Sequence, residues 1–397
     1  MSSARALLAG ALAAVGLAAV VGGPGPPDSR EGVAVAHSEV LQPWYSALAD
    51  ADVAPATVTV LGDSVSEGYG LGDDLSVRWV SRLQDALRAQ DPGSGCPTGP
   101  AGFHGTTSLV PAWYAAASLP DPRTTGQVRE IGTVGPGGRA VVLGPGATIS
   151  WDVAASEVAI GYRTGPAGAD LEVTTDGEQT LAGRRVSTED RVAERRVWHS
   201  SGQDLDERTW TARNLSSDRT VTITDLTPFR GDRDRCVHVV DASHSGISAR
   251  SVSERVEYIR DSLSMNPDLL LVPLGFNDAR AGQTPDELRD SVRTIIATSR
   301  RMGYDGPVLL VSWHAPPPAF FGRSWSGYRQ ALSDLDEQDG VAYVDVGAAM
   351  PPVVGAPRGV YLDALHPGRE GQVIIAEALT RVLSPPGPVR PVPSTTR

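Results

Sequence analysis

Near-continuous apolar runs occur at Val58–Leu61, Val237–Val240, Leu269–Val272, Val308–Val311 and Val341–Val346. Runs without alternation are what strands covered on both faces require, as in a parallel sheet. Between them, apolar positions recur at helical spacing. Trp79, Val80, Leu83 and Leu87 share one face, as do Val252, Val256, Ile259 and Leu263. Thr284-Pro285-Asp286-Glu287 is a capping box with proline at the first helical position, opening a helix whose apolar face is Leu288, Val292, Ile295 and Ile296. Trp325, Tyr328, Leu332 and Leu335 mark a further helix closed by Gly340, and Arg369–Leu383 reads as the last one. Strands alternating with helices predict a three-layer α/β/α sandwich on a five-stranded parallel sheet, with its site at the carboxyl ends of the strands.

Between Gly105 and Arg235 the period changes. Short alternating runs at Ala147–Trp151, Val158–Tyr162, Leu171–Thr175, Arg195–His199, Thr209–Ala212 and Thr220–Thr224 are separated by turn chemistry such as Gly165-Pro166-Ala167-Gly168 and Asp176-Gly177. This spacing predicts an antiparallel β-sandwich inserted between the first two strands of the parallel sheet. Carbohydrate binding and the shaping of a cleft wall both remain open for it. The expected division is 1–36 for an export signal or anchor with linker, 37–104 and 236–383 for the two parts of the α/β domain, and 105–235 for the insert. The proline-rich tail 384–397 is expected to be disordered.

Two motifs carry chemistry. Gly62-Asp63-Ser64-Val65-Ser66 follows the first apolar run directly, and Asp363-Ala364-Leu365-His366-Pro367 stands near the other end of the chain. A serine hydroxyl needs an imidazole to take its proton, and the imidazole needs a carboxylate to fix its tautomer. Asp363 is spaced to reach one ring nitrogen of His366, leaving the other for Ser64. Asn277, in Leu274-Gly275-Phe276-Asn277-Asp278 after another apolar run, can donate amide hydrogens to a developing oxyanion. Taken singly, each piece has a blander reading: a turn, a helix cap, a solvated loop histidine. Asp63 is expected to support the nucleophile turn through backbone hydrogen bonds. His244 and His314 follow strand patterns and are expected to line the cleft, with His366 as the base.

These blocks resemble the SGNH (GDSL-type) hydrolase superfamily, named for a serine, a glycine, an asparagine and a histidine. Ser64 matches the nucleophile block, Asn277 the asparagine block, and Asp363 with His366 the last block. Gly246, in His244-Ser245-Gly246-Ile247-Ser248 between a strand pattern and a helical one, suits the glycine block. The resemblance covers roughly 53–75 and 236–383. It implies a flavodoxin-like sheet and an oxyanion hole formed by the N–H groups of Ser64 and Gly246 with the Asn277 side chain. It also implies a serine esterase that requires no cofactor. The expected substrate is an O-acyl ester, acetyl favoured, on a cell-wall or environmental polysaccharide. A lipase and an O-acyltransferase share the machinery. A carbohydrate-binding protein on a degenerate scaffold is the non-enzymatic alternative, which four intact blocks oppose.

Composition narrows the partners. The formal net charge is −12, all 35 basic residues are arginine, and no arginine-rich run has interleaved aromatics, so nucleic-acid binding is not expected. Aromatic content of 6% and the lack of a long apolar stretch outside the N-terminus favour short acyl groups over lipid. Arg5 and the apolar run Ala6–Val21 read as an export signal, shorter than the ~20 residues of a spanning helix. Ala34-Val35-Ala36 resembles a cleavage site, although cleavage nearer Gly22 and an uncleaved anchor both stay open. Such an anchor is the sole membrane contact expected. Export favours a Cys96–Cys236 disulfide over two buried thiols, and no Cys/His cluster has the spacing of a metal site.

Overall fold

The computed structural model describes residues 35–36, 38–72, 74–90, 95–99, 104–105, 122–176, 184–318, 320–322 and 324–385. The Ala6–Val21 run and residues 386–397 of the tail lie outside them.

Six strands form the first sheet, in the order Val35–Ala36, Val341–Asp345, Val308–Ser312, Leu269–Val272, Ala56–Val60, Val237–Asp241. The last five are mutually parallel, as the apolar runs require. Every residue of the four strands from Val308–Ser312 to Val237–Asp241 is buried, which explains why none of them alternates. The sixth strand was not expected. Val35 and Ala36, read above as part of a cleavage motif, pair antiparallel with Val344 and Tyr343.

One helical layer joins Trp79–Arg88 to Arg369–Leu383; the other joins Ala249–Ser253, Val256–Leu263, Pro285–Arg301 and Trp325–Ser333. The capping box forms as read. The Thr284 side chain accepts the Glu287 N–H, and the Glu287 carboxylate accepts the Thr284 N–H at 2.7 Å. Leu288, Val292, Ile295 and Ile296 are all buried, each contributing about 1.5–3 kcal/mol relative to an exposed position. Two expectations are corrected. The stretch holding Val252, Val256, Ile259 and Leu263 is two helices, broken where Arg255 leaves helical dihedrals, and Val256 is 44% exposed. The helix from Trp325 stops at Ser333; Leu335 is buried in the turns that follow, and Gly340 only precedes the next strand.

The insert is a sandwich of two antiparallel sheets. One runs Arg185–Ser187, Asp170–Thr175, Asp206–Asn214, Thr148–Ala155, Arg123–Thr125. The other runs Arg195–His199, Glu157–Arg163, Val221–Phe229, Ala140–Leu143, Val128–Ile131, with His104–Gly105 paired onto Val221–Phe229. Inward positions such as Ile149, Trp151, Leu171, Val173, Trp210, Ile160 and Ile223 form a core separate from that of the α/β part. Alternation along Thr148–Ala155 and Asp170–Thr175 follows from having one face on that core.

Both ends of the insert are tied to the α/β part. A Cys96–Cys236 disulfide, with Cα atoms 6.0 Å apart and a sequence separation of 140, joins the chain before the insert to the strand after it. Beside it, the Arg88 guanidinium donates to Val237 O at 2.8 Å, Pro97 O at 2.5 Å and Arg230 O at 2.9 Å. A second anchorage lies on the helix Val256–Leu263. There Arg163 of the insert bonds Asp261 at 2.8 Å and Glu257 at 2.9 Å. Arg195 holds Asp225 in a two-pronged pair and reaches Ser264 Oγ at 2.7 Å.

Candidate active site

Ala56–Val60 is a central strand, and its carboxyl end turns directly into the short helix Ser64–Glu67. Asp63 is the N-cap, its carboxylate accepting the Val65 N–H at 2.9 Å. Ser64 is therefore the first helical residue, and while Ser66 and Glu67 donate to Asp63 O, the Ser64 N–H has no intrahelical acceptor. The Asp363–His366 loop precedes the helix Arg369–Leu383 and is pinned by Leu362 N–H on His366 O at 2.8 Å. Across this junction Ser64 Oγ lies 3.0 Å from His366 Nε2. His366 Nδ1 lies 2.8 and 3.0 Å from the two Asp363 carboxylate oxygens.

Asp363 also accepts the N–H groups of Leu365 and His366, each at 2.8 Å. Partial burial pushes this carboxyl up, but the bonds from His366 and Leu365 outweigh it and hold the group at about 2. It is an anion throughout the neutral range. Its acceptor role places the proton of His366 on Nδ1, leaving the Nε2 lone pair for the serine hydroxyl.

Gly246 and Asn277 converge on the same strand ends. Gly246 is exposed with φ +82°, a left-handed conformation that glycine adopts without strain. On either side of it, the Ser245 N–H bonds the Glu67 carboxylate at 2.8 Å and the Ile247 N–H bonds His244 O at 3.1 Å. Asn277 donates one amide hydrogen to Ile247 O at 2.8 Å, which orients the other. Its neighbour Asp278 accepts the N–H groups of Ala249 at 2.8 Å and Arg250 at 3.1 Å, joining the two loops.

His314 is buried behind the loop, 3.3 Å from Ala364 O and packed on Phe276 and Tyr361; burial pushes it down to about 4. His244 is turned the other way. Its Nδ1 is 2.6 Å from Gly137 O of the insert, and burial with the Arg139 charge holds it at about 4. Aspartate three residues before histidine occurs twice, because Asp241 stands before His244 as Asp363 does before His366. Spacing therefore does not by itself single out His366. Geometry does: Asp241 accepts the Ser243 N–H, and His244 spends Nδ1 on the insert.

Three residues near the site escaped the sequence reading. Tyr69 stacks on His366 with ring centroids 4.1 Å apart, and its N–H bonds Ser64 O at 2.9 Å. Glu67 and Arg139 form a buried ion pair below the nucleophile turn. The available signals were position five after the serine for Tyr69 and the run Gly135-Pro136-Gly137-Gly138 before Arg139.

Asp63 is fully buried, and burial, with Asp278 and Glu67 adding, pushes it up to about 7. An exposed aspartate titrates near ~3.9, so protonation favours the folded state. The stability this group contributes is complete below about pH 4 and is lost as pH rises toward 7. Asp63→Asn keeps an acceptor for Val65 and should stabilise the protein at pH 8 far more than at pH 4.5. The difference should be on the order of 3 kcal/mol. Denaturant titrations at the two pH values measure it, and equal effects at both would exclude ionisation of Asp63.

Among the described residues no group of His, Cys, Asp and Glu could hold a metal ion, and no helix is long and apolar enough to cross a membrane.

The fold and this grouping define an α/β/α hydrolase with serine, histidine and aspartate at the carboxyl end of a parallel sheet. Residues 203–374 match the GDSL-like lipase/acylhydrolase family, and this domain, with esterases among the structural neighbours, makes the protein an ester-hydrolysing enzyme. The matched region holds Gly246, Asn277, Asp363 and His366, while Ser64 lies upstream of the insert. No curated protein matches the chain by sequence. Among solved structures, a peptidoglycan O-acetylesterase is similar over 86% of this chain and 95% of its own, at 15% identity and a TM-score of 0.64. A family two carbohydrate esterase from Cellvibrio japonicus covers 66% of this chain and 98% of its own, at 12% identity and a TM-score of 0.28. A salicylyl-acyltransferase from a tetracycline biosynthetic pathway covers 66% and 96%, at 16% identity and a TM-score of 0.32.

Proposed function

We propose that this enzyme is an exported serine esterase that removes short O-acyl groups, acetyl foremost, from carbohydrate. The observation that carries the reading is the unbroken hydrogen-bond chain from Ser64 through His366 to Asp363. Ser64 attacks the ester carbonyl while His366 Nε2 takes its proton, then returns it to the departing alcohol. Water, deprotonated by the same nitrogen, attacks the acyl-enzyme, and the carboxylate leaves with Ser64 restored. Asp363 holds the Nδ1 proton throughout. The N–H groups of Ser64 and Gly246 and the second Asn277 amide hydrogen stabilise the oxyanion.

Carbohydrate as acceptor draws support from the O-acetylesterase whose fold parallels both the α/β part and most of the insert. We divide the chain at 37–104, 105–235 and 236–383, with the edge strand Val35–Ala36 placed just before the first part. The insert is read as a cleft wall, because Gly137 and Arg139 reach His244 and Glu67 beside the site. Arg5, the apolar run Ala6–Val21 and the disulfide favour an extracytoplasmic location.

A series of p-nitrophenyl esters, followed by acetate release from O-acetylated peptidoglycan and xylan, tests the substrate. Acetyl to butyryl esters should be cleaved at least tenfold faster than decanoyl, an order-of-magnitude figure since each unmatched methylene in a pocket is worth about 1–3 kcal/mol. A preference for chains of about ten carbons would make it a lipase. Acyl transfer to added sugar exceeding hydrolysis would make it a transferase. Cleavage of none of them would leave the scaffold as a binding protein.

A further inference from the structure

The insert reaches the site through one turn. Gly135, Gly137 and Gly138 all have positive φ, which lets the chain double back tightly enough to drive Arg139 inward. The turn is held by Gly135 N–H on Asp261 at 2.7 Å and by Gly137 O on His244 Nδ1 at 2.6 Å. Arg139, 1% exposed, forms an ion pair with one oxygen of Glu67, which is itself fully buried. The other Glu67 oxygen accepts both the Ser245 N–H, at 2.8 Å, and the Ser245 hydroxyl. Ser245 immediately precedes Gly246.

We infer that Arg139, supplied by the inserted sandwich, is a positioning residue for the reaction: it clamps Glu67, which fixes Ser245 and so aims the Gly246 N–H at the bound ester. This role rests on Ser64 acting as nucleophile with Gly246 in its oxyanion hole. A carboxylate serves here because one oxygen pairs with the Arg139 charge while the other accepts from Ser245. Burial alone would push Glu67 up; Arg139, with His244 and the Ser245 donors, brings it below its ordinary value and keeps it charged. A glutamine in its place can satisfy Arg139 or Ser245 but not both, since its amide nitrogen faces donors on whichever side it turns to. Losing an oxyanion donor outright lowers kcat by about 10²–10³-fold, so a donor left in place but misaimed should lose less.

The test compares Arg139→Met, Glu67→Gln, their double variant and Ser245→Ala on p-nitrophenyl acetate, with rates expressed per site labelled by a fluorophosphonate. Arg139→Met and Glu67→Gln should each lower kcat by roughly ten- to hundred-fold with KM changed less than about threefold. The double variant should recover part of that loss, because a glutamine freed of Arg139 can turn its carbonyl to Ser245. Ser245→Ala leaves the buried ion pair intact and should lower kcat severalfold; it decides the matter if the other variants do not fold. Wild-type kcat per labelled site in the single variants, with only the melting temperature reduced, would overturn the clamp, as would wild-type kcat in Ser245→Ala. If Ser64→Ala is inactive, such results overturn the clamp alone. Turnover surviving Ser64→Ala would overturn the nucleophile and the clamp together.

Discussion

Ser64→Ala should abolish turnover of p-nitrophenyl acetate, a fall of at least about three orders of magnitude, while the melting temperature should stay near that of the parent enzyme. The size follows from chemistry: without the hydroxyl no acyl-enzyme forms, and only the oxyanion donors remain to assist water. The small effect on stability follows from contacts, since among the described residues the Ser64 hydroxyl bonds His366 alone and the backbone turn is held by Asp63 and Gly68. His366→Ala should fall as far, because the proton then has no acceptor. His314→Ala and His244→Ala, which remove rings bonded to Ala364 O and Gly137 O and not to Ser64, should each cost far less turnover than His366→Ala. Initial rates checked alongside fluorophosphonate labelling of the Ser64 peptide measure all four. Near-native turnover in Ser64→Ala, or inactivation by His314→Ala in place of His366→Ala, would refute the assignment.

The second large effect concerns stability. Replacing Cys96 and Cys236 together by serine frees a loop of 140 positions, for which the chain-entropy estimate is about 5 kcal/mol, more than a thousandfold in the unfolding equilibrium. The measured loss should fall short of this, because Arg88 still holds Pro97, Arg230 and Val237 together. Turnover of a small ester should survive. Cys236 precedes the strand Val237–Asp241, whereas Gly246 follows it, so bond and site lie at opposite ends of that strand, about 17 Å apart by strand rise. Denaturant midpoints and non-reducing peptide maps report the outcome. Free thiols at both positions, or an unchanged midpoint, would refute it.

What could be read ahead of the structure was what burial writes locally. Leu269–Val272 is apolar at every position because both its faces are covered, and its bounds were legible to the residue. The Thr284 box was legible because a cap is satisfied within four residues. Val35–Ala36 was not, since two residues become a strand only by meeting Val344 and Tyr343 at the sheet edge. Arg123–Thr125 and Arg185–Ser187 were missed because they are three-residue edge strands in which Val186 is the single apolar side chain. Around the site, Ser64, Asn277, Asp363 and His366 announced themselves through their motifs. Arg139 could not, because its meaning lies in Glu67, 72 positions away and on a different domain. The second aspartate–histidine pair, Asp241 and His244, shows the converse: spacing alone proposes a partner that a three-dimensional neighbour, Gly137, takes away.

The strand that presents Ser64 sits between Leu269–Val272 and Val237–Asp241, both of which come after the insert in the chain. A polypeptide appearing from its N-terminus therefore makes the Ser64 strand early and has nowhere to seat it. The sandwich, whose strands between residues 123 and 229 pair among themselves, can complete its own core during that wait. Once closed, it brings Pro97 and Val237 together and shortens the search for the central strand's neighbours. Reactivity is thereby deferred: the Ser64 hydroxyl cannot meet His366 until the polypeptide has emerged through a residue 302 positions further along.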